Sequence, residues 1–152
     1  MNGGSAVVIG VGNEYRRDDG VGLAVLEELA RHDLADVTLT VSDGEPTQLL
    51  DAWSGIALAV VVDAVLCEPS SPGRIHRTTL PAPQATGMST HGLGIPDVLG
   101  LAEALQRAPQ RLVVYAIEAA DIGFGVGLSA AVQAAVPEVV SAVLREVSSG
   151  EH

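Results

Sequence analysis

Apolar and polar positions along this chain fall into two periodicities. Nearly continuous apolar runs occur at Ala6–Val11, Ala57–Val65 and Leu112–Ile117. Runs of this length without polar alternation predict central parallel strands, buried on both faces. Val37–Val41 predicts a further strand. Arg74–Leu80, reading RIHRTTL, alternates and carries charge, which places it at or near a sheet edge. Helical spacing covers Gly20–His32, Thr47–Trp53, Pro96–Arg107 and Ser129–Val147. Pro96 suits a first helical turn, where a missing amide hydrogen costs nothing. In the last helix the apolar positions Val132, Val136, Val139, Val140, Val143 and Leu144 share one face. Pro137 within it predicts either a kink or a later start, with the proline in the first turn.

The order β-α-β-α-β-β-α-β-α predicts an α/β fold: one domain over residues 1–152, a three-layer α/β/α sandwich. Its five-stranded sheet is mostly parallel with right-handed crossovers, and the edge-like strand is open to either orientation. Two connections are rich in punctuating residues, Glu68–Gly73 and the longer Pro81–Ile95. A long irregular loop in a small domain tends to be functional.

Composition narrows the function. The chain is 47% hydrophobic but only 3% aromatic, so the core is aliphatic. A net charge of −11 argues against nucleic acid and against an anionic membrane surface. No apolar run approaches the roughly 20 residues of a membrane span, and MNGGSAVVIG lacks the basic start of a signal peptide. The expected location is the cytoplasm. Cys67 is the only cysteine, which excludes an internal disulfide and a multi-thiolate zinc cluster. Following a buried strand, it is expected to be a structural thiol.

The most informative segment is GVGNEYRRDDGVG, from Gly10 to Gly22, which joins the first strand to the first helix. Tyr15 stands where a dinucleotide fingerprint needs its third glycine, and no Gly-Lys-Ser/Thr ending of a phosphate loop follows. The adjacent carboxylates Asp18 and Asp19 would repel a phosphate. One aspartate suffices to cap the following helix, which leaves the other free for a cation.

Other polar groups follow the strands. Asn13, Asp18 and Asp19 come after the first, Asp43 after the second, Asp63 near the end of the third and Glu118 after the fifth. In a parallel sheet all of these lie at the carboxyl edge, where α/β ligands bind. Plain structural readings stand beside the functional ones. Asp43 precedes Gly44 and could serve only an Asx turn. Glu118 could cap a loop or pair with Arg16 or Arg17. Asp63 ends a run of valines, where burial without a partner would be costly. His91 lies among small residues in the long loop. Asp19, Asp63 and His91 would make an oxygen–oxygen–nitrogen set suited to zinc or nickel with open positions.

With these residues the chain resembles the hydrogenase maturation endopeptidases over almost its whole length. The match comprises Gly10, Gly12, Asn13, Asp18, Asp19, Gly20 and Gly22, then Asp43-Gly44, Asp63, His91 and the segment from Gly123 to Ser129. The resemblance implies an endopeptidase, aspartic-type or metal-dependent, that removes a C-terminal extension from the precursor of a nickel–iron hydrogenase large subunit. It implies that Asp19, Asp63 and His91 bind nickel carried by that substrate, another divalent metal being able to occupy the site in isolation. It implies that Asp43 is linked to activity, with Asp19 the other candidate carboxylate, and that Asn13, Asp18 and Glu118 support the site. The chain departs from the family where D-G-G-T is common and Asp43-Gly44-Glu45-Pro46-Thr47 stands instead. The alternatives are a non-catalytic nickel-checking or chaperone-like binder and, more distantly, a small-molecule hydrolase on the same fold.

Overall fold

A computed structural model describes residues 5–80 and 95–149. His91 and the rest of 81–94 therefore lie outside the described residues. The elements are β1 (Ala6–Val11), a 3-10 turn (Arg17–Gly20), α1 (Val21–Leu29), β2 (Val37–Ser42), α2 (Pro46–Trp53), β3 (Leu58–Val65), β4 (Ile75–Leu80), α3 (Ile95–Ala104), β5 (Arg111–Glu118) and α4 (Ala130–Ser149).

The described strands form a five-stranded sheet in the order β2-β1-β3-β5-β4. β1 runs parallel to β2 and β3, and β3 parallel to β5, while β4 pairs antiparallel with β5. The three apolar runs are the three inner strands, as burial on both faces requires. The charged, alternating β4 takes one edge, where polar side chains reach water.

Side-chain alternation divides the core between the two faces. Val8, Val60, Val62, Val113, Tyr115 and Ile117 pack under α1 and α4. Val7, Ile9, Val61, Leu112 and Val114 pack under α2 and α3 with Trp53. α4 runs unbroken past Pro137, so the later start does not occur. Val132, Ala135 and Val136 are all buried upstream of or beside the proline, and that packing holds the first turns in place.

From β1 the chain moves outward to β2, then returns to place β3 on the other side of β1. The strand order reverses between β1 and β3. A crevice opens at such a point beyond the carboxyl ends of the strands.

Candidate functional site

The glycines of the first motif serve close packing around this crevice. A Cβ on Gly10 would lie 2.6 Å from the Gly22 carbonyl oxygen, and one on Gly22 would lie 2.6 Å from the Val62 carbonyl oxygen. The start of α1 thus rests directly on β1 and β3. Gly12 has φ of +141°, and its Cβ would fall 1.9 Å from the Asp19 carbonyl oxygen. Only a residue without a side chain lets the turn carrying Asp18 and Asp19 fold back over the end of β1.

That turn separates the two aspartates. Asp18 is fully buried. Its Oδ2 accepts from the amides of Ala120 at 2.8 Å and Asp121 at 3.2 Å and from the Ser129 hydroxyl at 3.0 Å. Its Oδ1 accepts from the Ser129 amide at 2.7 Å. Neither aspartate side chain caps the 3-10 turn or α1. Asp18 instead ties down the segment between β5 and α4. Asp19, partly exposed, accepts the Asn13 amide on Oδ2 at 3.0 Å. The Asn13 side chain holds the same turn, its Oδ1 accepting the Tyr15 amide at 2.9 Å.

Asp63 lies on the α2/α3 face, in the alternation of Ala59 and Val61. Burial pushes its carboxyl up to about 7, the Ala64 amide on Oδ1 opposes that rise, and the charge of Asp19 adds to it. The two carboxyls therefore feel each other across the switch point. Mutual repulsion of this kind is relieved by a proton or by a cation.

Asp43 is exposed at the end of β2. Its Oδ1 accepts the Glu45 amide at 3.1 Å, the Asx turn that Asp43-Gly44 predicts, and its own amide donates to Gln48 Oε1 at 3.1 Å. Gly12 is joined to this strand end by the hydrogen bond its amide donates to the Ser42 carbonyl at 2.9 Å, so the β1 turn and the Asp43 turn are adjacent.

Glu118 is buried at the end of β5 and does not pair with Arg16 or Arg17. Arg16 donates to the Ile122 carbonyl, and Arg17 lies against Asp121. Glu118 Oε1 instead accepts the Ser71 amide at 2.7 Å, and its Oε2 lies 2.6 Å from His76 Nε2. The Ser71 amide, and after it His76, hold its carboxyl below the usual carboxylate range. Cys67 belongs to the same group: one ligand atom each from Cys67, His76 and Glu118 lie within 4.8 Å of one another. Burial, then the Glu118 charge and hydrogen bond, push the Cys67 thiol up. Sequence reading assigned no role to His76 and a plain packing role to Cys67. Their meeting depends on β4 running antiparallel, which brings Ile75 opposite Ile117 and His76 opposite Ala116. No spacing along the chain signals that.

The segment that Asp18 holds presents apolar side chains to solvent. Arg16 and Gly125 form a β-bridge, with the Gly125 amide on the Tyr15 carbonyl at 3.0 Å. Around it Tyr15 is 62%, Phe124 90% and Val126 75% exposed.

Comparison with known proteins agrees with this architecture. The model of a family described as hydrogenase maturation protease matches residues 23–146. The hydrogenase 2 maturation protease of Escherichia coli K12 is 26% identical over 148 residues, covering 92% of this chain and 90% of that protein. Among solved structures, the hydrogenase maturating endopeptidase HybD from E. coli superposes with a TM-score of 0.81 at 22% identity, covering 95% of this chain and 93% of that one. The hydrogenase 2 maturation peptidase from Thaumarchaeota archaeon SCGC_AB-539-E09 does so with a TM-score of 0.71 at 26% identity, covering 94% and 97%. The five-stranded mixed sheet is the fold these proteins share, and the chain belongs to the hydrogenase maturation protease family.

Proposed function

We propose that the chain removes the C-terminal extension of a nickel-loaded large-subunit precursor of a nickel–iron hydrogenase, and that it recognises the nickel through Asp19, Asp63 and His91. The observation that carries this reading is the Asp19–Asp63 pair at the strand-order reversal. Burial and the neighbouring charge hold Asp63 near 7, so a cation between the two carboxyls would replace its proton at neutral pH. Hard carboxylate donors with a nitrogen ligand fit a borderline divalent ion, and without a thiolate they would hold it only moderately. That suits an ion that arrives and leaves with the substrate.

Docking the precursor's nickel fixes the scissile peptide relative to the protease, which turns hydrolysis into a positioned reaction. Asp43 is the base we assign to the attacking water. It is exposed at the adjoining strand end, and its Asx turn holds the carboxylate in one orientation. The metal serves as Lewis acid or as positioning device for the same carbonyl.

The test is the intact mass of the cognate precursor, nickel-loaded and nickel-free, after incubation with this chain. Loss of a C-terminal peptide from the loaded form alone is the expected result. Stable binding of the loaded precursor without loss of mass would replace the protease reading by that of a nickel-checking binder.

A further inference from the structure

We propose that Cys67, His76 and Glu118 form a second divalent-cation site, for zinc, at the carboxyl edge between β3, β4 and β5. The three residues come from different segments. Cys67 follows β3 by two positions, His76 lies on β4 opposite Ala116, and Glu118 ends β5 opposite Val65. One atom of each, a sulfur, a ring nitrogen and a carboxylate oxygen, already lies within 4.8 Å of the other two. Tetrahedral zinc with bonds of about 2.0 to 2.3 Å holds its ligand atoms roughly 3.3 to 3.8 Å apart. With a single sulfur in the set, the longest separation closes by roughly 1.3 Å at most, and the 2.6 Å His76–Glu118 contact opens by roughly 0.7 Å.

The supporting contacts suit a ligand set. The Ser71 amide on Glu118 Oε1 orients the carboxylate and leaves Oε2 toward His76, the outer hydrogen bond that metal-binding carboxylates commonly carry. Glu118 is only 4% exposed, whereas Cys67 and His76 are half-buried, so an ion can enter from solvent. Three protein ligands leave a fourth position for water. A thiolate beside an imidazole selects zinc over magnesium or calcium, which prefer oxygen throughout.

This site shares no ligand with the Asp19–Asp63 pair. Asp63 stands opposite Ala116, one strand repeat of about 7 Å before the level of Val65 and Glu118, and His76 faces the same Ala116 from the other side, two strand spacings or about 9 to 10 Å from Asp63. The inference therefore stands independently of nickel recognition. A hydrogen-bonded His–Glu pair that merely fastens β4 to β5 is the competing account.

Because Cys67 is the only thiol in the chain, every thiolate signal reports on it. The experiment uses tag-free full chain stripped of metal with a chelator. Cobalt(II) is expected to give a thiolate-to-cobalt charge-transfer band that saturates near a single equivalent and is displaced by zinc. Zinc is expected to slow alkylation of Cys67 by about tenfold or more, and Glu118→Gln to weaken zinc binding by about tenfold or more. Asp63→Asn is expected to leave the charge-transfer band in place. Absence of that band in the unmodified chain, alkylation unaffected by zinc, or loss of the band in Asp63→Asn would each overturn the site. The first two readouts need no variant, so they hold even if Glu118→Gln folds poorly.

Discussion

Asp18 and Asp19 are consecutive and chemically identical, yet the turn gives them opposite tasks. Asp18 is buried and saturated by amides of the segment after β5 and by Ser129. Asp18→Asn replaces acceptor lone pairs by a donor facing other donors, and should cost about 1 to 3 kcal/mol, seen as a lower midpoint in urea. Asp19→Asn should abolish precursor processing while leaving that midpoint nearly unchanged, because among the described residues its side chain accepts one hydrogen bond, from the Asn13 amide. Unfolding of the Asp19 variant would instead make that side chain structural. The sequence shows two carboxylates where a helix cap needs one, but the structure uses neither as a cap. That Asp18 is the structural member follows from its reach across to Ser129, which no local spacing announces.

Asp63 gives a pH dependence of determined sign. Its carboxyl stands at about 7 in the fold against an ordinary 3.8, so the native state binds the proton more tightly than the unfolded chain does. The stability it contributes is fully present below about pH 4 and is lost as pH rises through about 7. Asp63→Asn removes this penalty. The variant should be more stable than the parent near pH 8 by a few kcal/mol, roughly, and the difference should shrink toward pH 4. Urea unfolding of metal-free protein across that range measures it. A constant difference would show that Asp63 does not change its charge in this window.

At the scale of elements, α4 is fastened to the antiparallel edge by a buried charge. Glu146 is 7% exposed. It accepts from Arg77 Nε at 3.1 Å and Nη2 at 3.0 Å, from Arg111 at 3.1 Å and from the Tyr115 hydroxyl at 2.8 Å. Burial pushes its carboxyl up, but the Arg77 and Tyr115 hydrogen bonds and the two guanidinium charges outweigh this and hold it below its ordinary value. Glu146→Ala leaves the buried tyrosine hydroxyl without this acceptor and two guanidinium groups without their anion. The two guanidinium groups are 44% and 45% exposed and regain water, so a loss of about 1 to 3 kcal/mol, mostly from the orphaned hydroxyl, is expected in thermal or urea unfolding. This contribution runs opposite to that of Asp63, being lost as the medium is acidified.

The elements were legible to different degrees. β1, β3 and β5 announced themselves as inner strands because parallel strands covered on both faces need unbroken apolar runs. The alternation and charge of RIHRTTL placed β4 at an edge. Its direction was not legible, because period-two alternation is the same whichever way a strand runs. The His76–Glu118 contact was hidden with it. The 3-10 turn lies before the predicted helix start at Gly20 and had no periodic signal of its own, and Pro137 suggested a boundary that burial of Val132 and Val136 overrides.

For the whole molecule, the feature with the widest reach is the bridge between Arg16 and Gly125. It holds Tyr15, Phe124 and Val126 in water on a chain that carries a net charge of −11. Exposed apolar groups favour contact between copies, whereas like net charge keeps those copies apart. Dissolved salt acts on only one side of that balance. The screening length falls from about 30 Å at 0.01 M to about 3 Å at 1 M, while apolar contact is not weakened. Sedimentation should show copies separate at low ionic strength and increasingly associated as salt is added, with Phe124→Ser reducing the effect. Solution conditions that leave the fold unchanged would then decide how much of this surface remains open to another protein.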